Sequence, residues 1–421
     1  MFDNIIYHID VNSAFLSWEA TYRLHHKGGK VDLREQVAAV GGDVTMRHGI
    51  ILAKSIPAKK YNIQTGESLL EARQKCPELI IVPPNYNLYE RCSAAFMAIL
   101  REYSDAVEQY SIDEAFIDMT GSCHLFGSPE ETAHLIKDRI REELGFTVNV
   151  GISTNKLLAK MASDFRKPDR VHTLYPEEIE KKMWPLPVDD LFFVGRATSK
   201  KLHNLGIHTI GALAKSDKDM LCSHLKSAGE VVWNFANGID LSPVITKPAP
   251  NKGYGNSTTI PFDVVDAETA KVVLLALAET VGNRLRRDDV RISVVSVGIR
   301  FSDLSYCSHQ RVIQIPTNIT NEIHKVAGEL FDEFWNGQPI RHLGIHTSKV
   351  KEDDCIRQLS LFDEVDYEKL ITIDRTVDVI RDRFGIDSVK RAVFVKNAID
   401  HMSGGVSREK REVDYSKIKV E

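Results

Sequence analysis

Residues 5–11, IIYHIDV, form an apolar, β-branched run that ends in an acid, and the pattern predicts a short buried strand. NSAFLSWEATYRLH follows with helical spacing, and Asn12 or Ser13 stands where an N-cap belongs. VAAVGG (37–42) and GIILAKS (49–55) predict two short strands joined by the polar loop DVTMRH. SLLEARQKC predicts a helix stopped by Pro77, and ELIIVPPN a strand stopped by two prolines. Tyr89, Cys92, Phe96 and Leu100 mark one helical face in NLYERCSAAFMAILREY. AVEQYSI and AFIDMTG read as a hairpin with Asp113 and Glu114 between its strands. TVNVGIS (147–153) is a further strand, ahead of the helix NKLLAKMASDF. This order predicts an α+β layer with a mixed or antiparallel sheet.

After RKPDR the pattern turns helical through LPVDDLFFVGRATSKKLHNLGIHTIGALAKS, interrupted at Gly195 and Gly206. TKPAPNKGYGNS (246–257) has the Pro and Gly content of a linker. A second α+β unit is predicted beyond it: strand 258–264, helix 267–287, strands 291–302 and 307–315, helix 318–335 and a strand at 340–349. The charged KEDD then precedes QLSLFDE and a helix-strand-helix pattern to about residue 402. The last stretch, SGGVSREKREVDYSKIKVE, has the composition of a disordered tail.

A chain of 421 residues exceeds one ordinary core, so two to four domains are expected. Its 43% hydrophobic and 27% charged content is that of a globular protein. No apolar run approaches the roughly 18 residues of a membrane span, and MFDNIIYHIDVNSAF lacks a signal-peptide pattern. The six cysteines are scattered without a Cys-x-x-Cys pair, which points to reduced thiols in a cytoplasm and away from structural zinc. With a net charge of −5, binding to nucleic acid would require positive charge segregated to one face.

The adjacent acids carry the chemistry. Two buried carboxylates side by side cost several kcal/mol unless something positive sits between them. From mid-strand they would point to opposite faces, whereas at a hairpin tip both can reach one ion. If the end of the first strand is a neighbour, Asp10 joins Asp113 and Glu114. Such an all-oxygen set suits Mg²⁺, and two such ions are the usual machinery of nucleotidyl transfer. The plain alternative is that Asp10 caps a helix and the pair are solvated turn residues.

IDVNSAFLSWE, YSIDEAFIDMTGS and VGISTNKLLAKMASDFRKPD resemble three signatures of the Y-family (translesion) DNA polymerases, in order, in a likeness running from about residue 4 to 362. DVNSAF and ILAKSIPAKKYNI look closer to the UmuC-type branch, polymerase V-like, than to the DinB-type. The resemblance implies a multidomain α+β right-hand polymerase. Its palm would be residues 1–20 and 77–168, its fingers 21–76, and its thumb 169–242 with a helix-hairpin-helix. A linker at 243–257, a little finger at 258–350 and a tail at 351–421 would complete it. It implies that Asp10, Asp113 and Glu114, with the carbonyl of Val11, hold two Mg²⁺ ions. Ser13, Ala14, Phe15, Lys59 and Lys167 would meet the dNTP, with Phe15 as the steric gate against a 2′-OH. The sequence departs from the family where a phosphate-binding arginine is Lys59 and a tyrosine is Ile56. A lysine offers a point charge instead of a fork. Lys160 lies two helical turns before Lys167 and could share its face.

Gly195, Arg196, Lys200 and Lys201 match the helix-hairpin-helix, in which glycine lets backbone N–H groups approach a phosphate. Arg291, Arg300 and Arg311 are the candidate DNA contacts of the little-finger sheet. Gln358, Leu359, Ser360, Leu361 and Phe362 look like the pentapeptide that bacterial polymerases insert into the β sliding clamp. The activity implied is low-fidelity synthesis from dNTPs on primer-template DNA past damaged bases, without a proofreading exonuclease. The rival is a non-catalytic DNA- and clamp-binding relative. A nucleotide cyclase would leave the hairpin and clamp motifs unexplained. Whether accessory subunits or a recombinase filament take part stays open.

Overall fold

The computed structural model describes residues 4–42, 49–352, 366–395 and 397–402. Its first elements are β1 (Ile6–Val11), α1 (Ala14–His26), β2 (Ala38–Gly41), β3 (Ile51–Lys54), α2 (Ile56–Lys59), α3 (Leu69–Lys75) and β4 (Ile80–Val82). There follow α4 (Tyr86–Arg101), β5 (Val107–Gln109), β6 (Glu114–Asp118), α5 (Pro129–Leu144), β7 (Val148–Ser153), α6 (Lys156–Asp164) and β8 (Val171–Thr173).

A five-stranded sheet in the order β5-β6-β1-β7-β8 organises this region. β1 lies in its centre, antiparallel to both neighbours, and is buried along its whole length. Tyr7, Ile9 and Val11 enter the main core, while Ile6, His8 and Asp10 share the other face, where His8 and Asp10 are buried polar groups. The register sets Asp10 opposite Glu114 on β6 and opposite Asn149 on β7. α6 packs close to β7 because residue 151 is glycine: a Cβ there would lie 1.9 Å from the carbonyl oxygen of Ala159. α5 begins with a capping box formed by Ser128 and Glu131, with Pro129 in its first turn. β2, β3 and β4 form a separate small sheet over a core of Ala39, Ile51, Ala58, Ile63 and Leu69.

Short helices follow: α7 (Ile179–Lys182), α8 (Arg196–Asn204), α9 (Ile210–Ala214), α10 (Lys218–Leu225) and α11 (Ser227–Ala236). Their core includes Leu157, Leu158 and Met161 of α6, which anchors this unit behind the large sheet. The last region comprises β9 (Gly255–Val264), α12 (Ala267–Arg287), β10 (Val290–Phe301), β11 (Tyr306–Thr317), α13 (Thr320–Phe334), β12 (Ile340–Glu352) and α14 (Tyr367–Phe384). Its antiparallel sheet runs β11-β10-β12-β9. Side chains of α12 and α13 cover one face, with Leu274, Leu277, Ile323 and Phe331 packed on Val295, Val297 and Ile345. α14 is fastened to α12 by ions: Arg286 meets Asp374 at 3.1 Å and Asp378 at 2.6 Å, and Glu279 meets Arg381 at 3.5 Å.

Some expectations shift. Ser13 is the N-cap of α1, but it sits in the left-handed region (φ 48°) and makes no side-chain cap. β8 adds a parallel strand where only a transition was read. The 246–257 linker gives way to β9 already at Gly255, and Tyr254 is buried. Beyond α14 there is no second helix with a strand before it among the described residues, only 3₁₀ turns at Ile386–Ser388 and Ala392–Phe394. QLSLF (358–362), the DVTMRH loop and the 403–421 tail lie outside the described residues.

Candidate active site

One cavity of about 410 Å³ at the end of β1 gathers residues from four parts of the chain. Asp10, Val11, Ser13, Ala14 and Phe15 come from β1 and the start of α1. Lys54, Lys59 and Thr65 come from the small-sheet unit, and Asp113 and Lys167 complete the polar wall.

The acids stand where the hairpin reading put them, at the junction of the 110–113 loop with β6. The backbone N–H groups of Tyr110 and Ser111 both donate to the carbonyl of Glu114, closing the loop. The N–H of Val11 donates to the carbonyl of Asp113 (3.0 Å), which locks this loop against β1. Ser111 Oγ donates to Asp113 Oδ1 (2.7 Å).

Each of the other two acids has a lysine. Lys167 is bonded to Asp10 and lies 2.8 Å from Asp164, and Lys160 Nζ donates to Glu114 Oε1 at 2.6 Å. Asp10, Asp113 and Glu114 do not form a set of oxygens within 4.8 Å of one another. Among the described residues that geometry belongs to Asp387, Asp400 and His401. That group already has a cation, because Lys390 bridges Asp387 (2.8 Å) and Asp400 (3.3 Å).

Burial pushes the Asp10 carboxyl up to about 6, against the pull of Lys167 and with help from the charges of Glu114 and Asp113. Burial also works against Lys167, yet Asp10 and Asp164 push it up to about 12. A buried carboxylate raised by like charges is a group that gains from added positive charge. The all-oxygen donor set therefore fits a hard divalent cation.

Phe15 lines the cavity and is fixed from behind. Its ring stacks on Tyr89 with centroids 4.4 Å apart and 9° between planes, and Tyr86 meets it edge-on at 6.2 Å. Ser55 shapes the lysine wall by capping α2: its Oγ accepts from the N–H of Ala58 and donates to the carbonyl of Gln36. Lys59 on α2 is exposed and lines the cavity. Ile56 is 46% exposed and brings no donor.

Sequence reading missed three residues. Lys54, half-buried on β3 and lining the cavity, is held below the usual lysine range by burial and then by the charge of Lys59, against the pull of Glu67. Asn149, fully buried, donates to the carbonyls of Ser163 (3.0 Å) and Arg166 (2.8 Å) and accepts from the N–H of Arg170 (3.2 Å). Asn12 accepts from the N–H of Asp169 (2.9 Å). Together the two asparagines hold the loop that carries Lys167. Their only sequence signal is a polar residue inside a strand or at its end.

Among the DNA candidates, Arg196, Lys200 and Lys201 are exposed along α8 and make no ion pair among the described residues. Gly195 caps that helix with open space around it. Arg300 faces the open side of the last sheet in register with Tyr306 and His342, and Arg291 pairs with Lys351 in the register of β12. Arg311 is a correction. It is in register with the buried Val295, so it points to the helix-covered side, and its guanidinium is taken by Glu329 and Glu333 of α13.

Similarity to known proteins agrees with that geometry over most of the chain. Residues 9–164 match the impB/mucB/samB family, 176–207 its helix-hairpin-helix motif and 251–361 its C-terminal domain. The chain is 44% identical to a DNA polymerase IV of Clostridium acetobutylicum, over 93% of this chain and 98% of that one. It is 39% identical to DNA polymerase IV 2 of Bacillus subtilis, over 94% and 96%. A solved Y-family DNA polymerase chimera superposes with a TM-score of 0.69 at 22% identity, covering 82% of this chain and 99% of that chain. A multidomain α+β fold with an acid-lined cavity in its central sheet is thereby placed in its class. The chain belongs to the impB/mucB/samB family, the Y-family DNA polymerases. Among the described residues no helix is long and apolar enough to cross a membrane.

Proposed function

We propose that this chain is a template-directed DNA polymerase that copies damaged templates at low fidelity, transferring a nucleotide from a dNTP to a primer 3′-OH. The observation that carries the reading is the single cavity in which Asp10, Asp113, Phe15, Lys59 and Lys167, chosen for this chemistry from distant segments, share one wall. On this reading the five-stranded sheet would be the palm, the small sheet the fingers, α7 to α11 the thumb and the last sheet the little finger. The names of the relatives favour a polymerase IV type over the UmuC-type branch suggested by the motif wording.

Asp10, Asp113 and Glu114, with the carbonyl of Val11, are the residues that would hold Mg²⁺, two ions per site. Those ions supply charge neutralisation and a more acidic 3′-OH. This chain's own residues do the remaining work. Lys167, Lys59 and Lys54 offer positive charge to the triphosphate, and the N–H groups of Ser13 to Phe15 at the start of α1 add donors. The Phe15 ring limits the room beneath the sugar. Lys160 and Lys167 keep Glu114 and Asp10 paired while their oxygens wait for a cation. Positioning and charge, with little covalent chemistry by the protein, account for the acceleration.

Gly195, Arg196, Lys200 and Lys201 would grip DNA phosphates, with Arg291 and Arg300 on the open sheet face. Residues 358–362 would dock to a β sliding clamp in a bacterial cytoplasm.

Primer extension with dNTPs and Mg²⁺ tests the reading. Wild type extends the primer, and Asp113→Ala loses activity by at least about a hundredfold. Equal extension by both removes the site assignment, and no extension by wild type favours a DNA-binding scaffold.

A further inference from the structure

The hairpin that enters α8 has its backbone demands reversed. Phe193 holds φ 77°, a left-handed conformation that glycine adopts freely and a bulky side chain does not. Two residues on, Gly195 holds an ordinary φ of −84°, and a Cβ on it would meet nothing within 4 Å. The fold therefore needs glycine at 193, where it has phenylalanine, and tolerates any residue at 195, where it has glycine. Strain of about 1–2 kcal/mol accompanies such a residue. The ring does not recover it by burial, being 65% exposed.

Its position is fixed nonetheless. Phe193 stands edge-on to Phe192 at 5.7 Å and to Phe235 at 5.9 Å, and those two rings stack on each other. Phe192 lies 5.5 Å from the ammonium of Lys160, the lysine bonded to Glu114. The exposed ring is thus one aromatic neighbour and one lysine away from the acids, on the edge of a hairpin flanked by the open Gly195 and the unpaired cations of α8.

We propose that Phe193 is a nonpolar DNA contact: its ring lies against the deoxyribose next to the phosphate that approaches Gly195, close to the primer end. This rests on the polymerase reading above. A sugar face suits the site because the side chains of the turn from 191 to 194, Leu-Phe-Phe-Val, are all apolar. Contact with a sugar adds affinity without reading sequence.

The test is equilibrium binding of a fluorescent primer-template to full-length wild type, Phe193→Gly and Phe193→Asn, with Phe193→Tyr as the conservative variant and Lys200→Ala for comparison. Glycine and asparagine both accept the left-handed backbone, so the hairpin keeps its shape. Expected is about tenfold weaker binding for both, with recovery in the tyrosine variant. The salt dependence stays that of wild type, because no phosphate contact is lost, whereas Lys200→Ala lowers the slope by about one. Unchanged affinity in the glycine and asparagine variants overturns the proposal. So does a fall in kcat at saturating DNA with affinity intact, which would make the ring a prop for Lys160. If wild type neither binds nor extends the primer-template, the polymerase reading itself has failed, an outcome distinct from either.

Discussion

Replacing Phe15 by alanine separates the two jobs its ring can have. As packing, the ring lies flat on Tyr89, which is fully buried, and edge-on to Tyr86, but its other face borders the cavity. A fully buried Phe→Ala change costs roughly 3–5 kcal/mol. With one face open, about half of that applies, roughly 2 kcal/mol, of which a parallel stack alone contributes about 0.5–1.5 kcal/mol. As a gate, the ring excludes one hydroxyl by shape, and exclusion of that kind is worth about a hundredfold, or some 2.7 kcal/mol at about 1.36 per tenfold. Phe15→Ala should therefore lower dNTP-over-rNTP selectivity, measured as the ratio of kcat/KM values, by about a hundredfold. It should also lower the thermal midpoint by several degrees. Phe15→Leu keeps an apolar cover on Tyr89 and should return most of the stability while still admitting ribonucleotides. Phe15→Tyr should keep both. An alanine variant that loses stability but keeps full selectivity would show that the ring only packs.

Lys54→Met removes a half-buried charge that faces Lys59, so stability should hold or rise slightly while KM for dNTP rises about tenfold; an unchanged KM would separate Lys54 from the triphosphate. Arg286→Ala strands Asp374 and Asp378 without their cation and should destabilise the last unit by about 3–5 kcal/mol, read by urea denaturation; a loss below about 1 kcal/mol would mean that α14 is not held by this network. His324, whose Nε2 lies 3.0 Å from the carbonyl of Lys271, is held below the usual histidine range by burial and by the charges of Arg391 and Lys271. The unfolded chain takes a proton near pH 6.5 that the folded chain resists, so stability is full above that value and falls as pH drops below it. The drop in urea midpoint between about pH 7.5 and 5.5 should be smaller in His324→Gln, and an equal drop in both would assign the acid sensitivity elsewhere.

What could be read from the chain was what is local. The helix at 267–287 and the strand at 5–11 announce themselves because apolar spacing and burial are set by neighbours in sequence. Asp113 and Glu114 were legible for the same reason: paired charges inside a strand-like run need an explanation wherever the strand goes. Arg311 shows a signal that was present and passed over. It has the parity of Cys307 and Ile313, which pack on the core, so alternation alone places it on the covered side. α14 could not have been read that way. Its contact with α12 is made by arginines and carboxylates, and charge on a helix looks solvated until its partner is seen. The same limit governs the site. An acid pair demands a counter-charge, but nothing in a strand pattern says whether lysine or metal provides it. Here both have a place: Lys160 and Lys167 sit at the carboxylates, on elements fixed by Gly151 and Asn149, and the donor set remains one that a divalent cation can claim. Because Lys167 also lines the cavity while Lys160 is held by Glu114, the acids and their lysines form one electrostatic unit. Its acids come from positions 10, 113 and 114 and its lysines from 160 and 167, and a lysine on a helix carries no pattern that names its partner, which is why motif and pattern located the acids more readily than the side chains that restrain them.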